Sequence, residues 1–150
     1  FGKEWMPQRV KDNGVDWENC AQLDIREYIY NMPTLMAAAD IFISRAGASS
    51  CNEIAVSGTP CILIPSPNVT DNHQEKNARA LADSGAAVLM LEKDCTAKAL
   101  YTQIKTMLDD CPGRERMHKT LQNMVVLDSA ERLCQIISEL GKGKKDPTKE

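Results

Sequence analysis

The chain has 150 residues, 43% of them hydrophobic, with 18 basic side chains and a net charge of −3. That length carries one domain with a sizeable core, and the acidic balance leaves nucleic-acid binding without electrostatic support. No apolar run approaches the ~20 residues that span a bilayer. The opening Phe1-Gly2-Lys3-Glu4 has no initiator Met and no signal-peptide core, so the chain reads as an excerpt of a longer protein.

In chain order, a short helix is expected from Glu4 to Lys11, ending at Asp12-Asn13-Gly14. Leu23 to Tyr30 partly alternates and carries Ile and Tyr, the pattern of a strand, and runs into a turn at Asn31-Met32-Pro33. Pro33 suits the first turn of an Ala-rich helix through Met36 to Ala39. Ile41-Phe42-Ile43 then lacks polar alternation, as expected for a strand covered on both faces in a parallel sheet. After a small-residue turn, a helix is expected from about Ser50 through Val56. Gly58 supplies its C-terminal turn and Pro60 prevents its continuation. Cys61 to Ile64 is a second buried strand, stopped by Pro65. Strand, turn, helix and strand follow without a long loop, which makes a βαβ unit.

A polar loop from Ser66 leads into a helix with Ala78, Ala80, Leu81 and Ala82, ending at Gly85, with Asp71 and Gln74 at capping-box spacing. Ala86 to Leu91 reads as a further strand. Helices follow over Thr96 to Leu108, Arg114 to Met124 and Ser129 to Leu140, their Met and Leu stripes expected in the core. Residues 141–150 form a polar, Lys-bearing tail expected to be disordered. The whole is α/β, a parallel sheet flanked by helices, in one domain over residues 1–140.

Chemistry concentrates in two loops on one sheet edge. In Arg45-Ala46-Gly47-Ala48-Ser49-Ser50, Gly47 can take backbone angles closed to other residues and its neighbours keep side-chain bulk low. The helix after it begins with unpaired N–H groups and the positive end of its dipole, a site for a phosphate to which Arg45 can add charge. Glu53 admits two readings. Ser50-x-x-Glu53 has the spacing of a capping box, and a carboxylate beside a phosphate site can also accept the two vicinal hydroxyls of a ribose. Spacing does not separate them. The second loop, Asp71 to Asn77, leaves the same edge, where open α/β sheets bind ligands.

Six cysteines are scattered without a C-x-x-C pair and the chain has two His, which argues against a zinc site. The set reads as free thiols in a reducing compartment. A catalytic pair of Cys51 with His73 is disfavoured, because Cys51 is expected on a helix beside the turn.

Ser44-Arg45-Ala46-Gly47-Ala48-Ser49-Ser50 with Glu53, followed by Asp71-Asn72-His73-Gln74-Glu75-Lys76-Asn77-Ala78, resembles the MurG family of peptidoglycan glycosyltransferases, which move GlcNAc from UDP-GlcNAc onto lipid I. Tyr28 to Met32 and Ile62 to Pro67 share the likeness, which covers roughly Gln22 to Leu140. It implies a Rossmann-like sheet, most of the C-terminal, donor-binding half of a GT-B enzyme, with no cofactor or metal. By position, Glu53 would hold the ribose hydroxyls, and Arg45, Gly47, Ala48, Ser49 and Ser50 would lie along the diphosphate. Ile29 would present backbone groups to the uracil, and His73 and Gln74 would meet the sugar, where some members have Gln-Gln. The family's glycine-rich loop and its N-terminal domain, with the lipid I site and the general base, have no counterpart here. The excerpt is therefore expected not to catalyse transfer alone. The intact enzyme is expected at the cytoplasmic face of the membrane as a peripheral protein. A related glycosyltransferase subunit or glycolipid synthase, and a non-catalytic nucleotide-binding module, stay open as alternatives.

Overall fold

The computed structural model describes residues 5–16, 19–126 and 128–143. The chain divides into two compact units, Phe1–Met32 and Pro33–Glu150.

The first unit holds α1 (Trp5–Asp12), followed by irregular chain. The strand expected over Leu23–Tyr30 does not form: the sheet among the described residues is three-stranded and does not include it. Alternation marks a segment that fits a strand, but only a ladder partner makes one. Here Arg26 bonds Asp24 two residues away at 2.6 Å, and Tyr30 is 92% exposed, in edge contact with Tyr28.

The second unit is built on β1 (Phe42–Ser44), β2 (Cys61–Leu63) and β3 (Val88–Leu89), ordered β1-β2-β3 and all parallel, with Phe42 opposite Cys61 and Ile62 opposite Val88. The helix α2 (Met32–Ala38) precedes β1, α3 (Ala48–Ser57) connects β1 to β2, and α4 (His73–Asp83) connects β2 to β3. Three helices follow, α5 (Ala97–Asp109), α6 (Cys111–Met124) and α7 (Ser129–Gly143). The central strand β2 is wholly buried, as its unbroken apolar run requires. The buried core also holds Ile54 and Ala55 of α3, Ala78 and Leu81 of α4, Ala86, Met107 and Leu121.

Four expectations are corrected here. β1 is not covered on both faces: as an edge strand it leaves Ile43 39% exposed. β3 is shorter than Ala86–Leu91, because β2 offers a partner for only part of that run, although Met90 N still donates to Leu63 O at 3.0 Å. The apolar stripe of α7 is not core. Leu133, Ile136, Ile137 and Leu140 are all exposed, so the 3.6-residue period identified the helix without identifying what covers it. α7 also runs to Gly143, past the expected end at Leu140, and the remainder of the expected tail, 144–150, lies outside the described residues.

The end of α3 fixes where β2 starts. Gly58 is left-handed at φ +66°, and its N–H closes on Ile54 O and Ala55 O. Thr59, buried, donates its hydroxyl to Met36 O at 2.6 Å. His118 of α6 places Nδ1 2.6 Å from Gly58 O, and since a carbonyl only accepts, Nδ1 carries the proton. A Cβ on Gly58 would stand 2.6 Å from that same Nδ1. Gly58→Ala therefore combines a strained φ with the displacement of His118, and should lower the unfolding free energy by about 2 kcal/mol. Urea unfolding checks this; an unchanged midpoint would contradict it.

Candidate functional site

Parallel strands put the loops after β1, β2 and β3 on one edge of the sheet, and the predicted residues of the second unit gather there. The turn after β1 ends in α3, whose first residue is Ala48 and whose N-cap is Gly47. Gly47 O accepts the first helical bond from Cys51 N at 2.9 Å. The N–H groups of Ala48, Ser49 and Ser50 therefore have no partner within the helix, and no side chain caps the helix end. This end of the dipole is open to an anion.

That boundary overturns the capping-box reading of Ser50 and Glu53. Ser50 lies inside the first turn rather than at the N-cap, so its hydroxyl and Glu53 are an i, i+3 pair on one helix face. Ser49, at i, i+4 from Glu53, shares that face. Glu53 is exposed, while the next two residues, Ile54 and Ala55, turn inward. Gly47 also departs from expectation, since its φ of −66° is open to any residue. What glycine provides is absence of bulk: a Cβ there would meet only Ser50 Oγ, at 3.8 Å.

The second loop is held differently from its predicted capping box. Asn72, not Asp71, is the N-cap of α4, and both residues take left-handed angles, φ 54° at Asp71 and 51° at Asn72. Asn72 donates to Glu75 at 2.7 Å, and Arg79 donates to the other Glu75 oxygen at 2.6 Å. These bonds, Asn72 first, hold the Glu75 carboxyl below the usual carboxylate range. Gln74 turns back to accept Ser66 N at 2.9 Å, which leaves its amide N–H groups as donors. His73 is exposed and places Nδ1 2.8 Å from Thr70 O. That carbonyl requires the proton on Nδ1, so neutral His73 presents Nε2 as an acceptor.

Arg45 does not stand free at the turn. Its Nη1 donates to Ile64 O at 3.1 Å and pairs with the carboxylate of Glu92, on the loop after β3. The pair lines a cleft of about 470 Å³ with Ile43, Ser44, Ile64 and Cys95. A second cleft of about 470 Å³ lies between Pro65, Pro67, Asn72, Glu75 and Lys93. Gly47, Ala48, Ser49 and Ser50 line neither of these two clefts.

Two residues that the sequence reading assigned no role join these pieces. Asn77 of α4 donates Nδ2 to Ala46 O at 3.1 Å and ties the second loop's helix to the turn before α3. Glu92 holds Arg45. Neither had a signal in spacing, because each acts across a gap that only the sheet closes. Ile29 belongs to the first unit, where it is half-buried. Cys51 and His73 form no pair: Cys51 is half-buried, with burial pushing its thiol up, and His73 is held by Thr70. All six cysteines are free, and burial pushes Cys61 up to about 12.

The parallel sheet with its crossover helices, loops gathered at the C-terminal edge, matches part of one half of a GT-B glycosyltransferase, and Acinetobacter baumannii MurG shares this fold. That crystal structure superposes with a TM-score of 0.77 over 91% of this chain and 39% of its own, at 24% identity. Residues 1–133 match the glycosyltransferase family 28 C-terminal domain, and the chain belongs to that family. The UDP-N-acetylglucosamine--N-acetylmuramyl-(pentapeptide) pyrophosphoryl-undecaprenol N-acetylglucosamine transferase of Desulforamulus reducens is 45% identical over 136 residues, 91% of this chain. A Bacillus cereus enzyme of the same name, numbered 1, is 39% identical over 135 residues. The chain spans 36% of the length of each.

Because Ala46 is fully buried, losing its partner leaves a buried carbonyl unsatisfied. Asn77→Ala should cost about 1–3 kcal/mol, and Asn77→Asp should cost no less, since a carboxylate cannot donate to Ala46 O. Equilibrium unfolding of both variants tests this; a parent-like Asn77→Asp would contradict it.

Proposed function

We propose that this chain is the UDP-GlcNAc-binding part of a glycosyltransferase that adds GlcNAc to lipid I to make lipid II in peptidoglycan synthesis. Residues 1–140 are then part of its C-terminal donor domain. The observation that carries the reading is the open N-terminus of α3, with three N–H groups free of helical partners and Glu53 on the face that begins with Ser49 and Ser50.

In this reading the N–H groups of Ala48, Ser49 and Ser50 take the diphosphate, and Gly47 keeps the approach clear. Arg45 adds a cation at the same edge. Glu53 accepts the two ribose hydroxyls, and its place one turn into α3 puts it beside the phosphate site rather than in it. His73, through Nε2, accepts from a sugar hydroxyl, and Gln74 donates to one. As the bond to the sugar breaks, charge grows on the leaving diphosphate, where the helix dipole, the free N–H groups and Arg45 stabilise it. The family likeness implies inversion at the sugar carbon without a metal or other cofactor. Lipid I and the general base belong to the part of the relatives' length that this chain does not span. No helix among the described residues is long and apolar enough to cross a membrane; the whole enzyme is proposed to sit peripherally on the inner face of the cell membrane, without a nucleic-acid partner.

The test is Glu53→Gln. A carboxylate accepts both hydroxyl protons, whereas an amide offers one acceptor oxygen, and charge-assisted hydrogen bonds are worth about 1.5–3 kcal/mol against about 1 for neutral ones. UDP binding should weaken by about tenfold or more, while thermal stability barely moves, because Glu53 has no cap to lose. Binding of 2′-deoxy-UDP, weaker from the start, should fall less. Equal losses for the two nucleotides in calorimetry would remove Glu53 from the ribose.

A further inference from the structure

We infer that Glu92 is a positioning residue for the diphosphate site, acting by holding the guanidinium of Arg45 at the sheet edge; the inference rests on the proposed reading of Arg45 as a phosphate ligand. The ends of the three strands are joined in series. Ile64 N donates to Ser44 O at 2.9 Å, and Met90 N donates to Leu63 O at 3.0 Å. Arg45 then crosses the end of β2, with Nη1 on both Ile64 O and the Glu92 carboxylate. Both bonds use one nitrogen, so Nε and Nη2 keep their N–H groups for another acceptor. A diphosphate offers several.

The pair is about half exposed on both sides, so it adds little to stability. Its effect is on order. A long side chain that is free in the unbound protein loses rotamer freedom when it grips a ligand, and Glu92 takes part of that loss in advance. The same carboxylate lies near the incoming charge and repels it, through solvent that screens the repulsion. Glu92 engages Nη1 alone and leaves the remaining donors for the ligand, so the sign of the change on removing Glu92 decides between positioning and repulsion.

The experiment compares the parent chain with Glu92→Ala, Glu92→Gln, Arg45→Ala and the Glu92→Ala/Arg45→Ala double variant, titrated with UDP and with uridine by NMR. Glu92→Ala should weaken UDP about three- to tenfold and leave uridine unchanged. Glu92→Gln retains an acceptor oxygen for Nη1 and should stay within about twofold of the parent. In the Arg45→Ala background Glu92→Ala should have no further effect. Tighter or unchanged UDP binding by Glu92→Ala would overturn the inference, as would an equal loss for uridine, additive losses in the double variant, or a Gln variant as weak as Ala. UDP binding that Arg45→Ala weakens and Glu92→Ala does not overturns the role of Glu92 alone. A parent chain that does not bind UDP overturns the proposed function and this inference together.

Discussion

A helix that begins without a side-chain cap leaves its first backbone N–H groups with no partner in the helix, and such groups must meet water or a ligand. At the start of α3 this condition falls on Ala48, Ser49 and Ser50, directly beyond the C-terminal end of β1. The surrounding structure keeps it so. Ala46 is fully buried beneath the turn, and Asn77 holds its carbonyl from α4. The buried face of α3, through Ile54 and Ala55, fixes the helix against the sheet. Gly58, set left-handed and bonded to His118, ends the helix so that β2 enters in register with β1. With both ends of α3 held, its first turn carries its unpartnered N–H groups at the sheet edge.

The second loop is shaped by local bonds with a different logic. Two successive non-glycine residues, Asp71 and Asn72, sit in left-handed angles, a conformation disfavoured for L residues and tolerated best by Asn and Asp. The bonds from Asn72 to Glu75 and from Ser66 N to Gln74 offset that cost. His73 is anchored on Thr70 O through Nδ1 and Gln74 on Ser66 N through its amide oxygen, which leaves Nε2 of the one and the amide N–H groups of the other without those anchors.

The βαβ unit was legible in the sequence because its signals are local: the apolar run Cys61 to Leu63, the Gly58 and Pro60 stop, and the small residues of the turn. Helix boundaries were less so. Ser50-x-x-Glu53 imitates a capping box, yet α3 begins two residues earlier, because the chain can turn into the helix at Gly47 without a side-chain cap. Glu53 therefore takes no part in an N-terminal cap of α3. Leu23 to Tyr30 had strand composition without a ladder partner, and α7 had helical period without a cover, so in both cases the pattern described the segment and not its neighbours. Asn77 and Glu92 were invisible for a related reason. Their partners, Ala46 and Arg45, lie 31 and 47 residues away, and no short spacing encodes such a meeting.

The central claim is that the backbone at the start of α3 binds the phosphates of a nucleotide. Titrating the ¹⁵N-labelled chain with UDP reads those groups one by one. The account predicts that the amide resonances of Ala48, Ser49 and Ser50 shift most among α3 residues and move little with uridine, which lacks the phosphates. Unmoved resonances at these three positions under saturating UDP would contradict it.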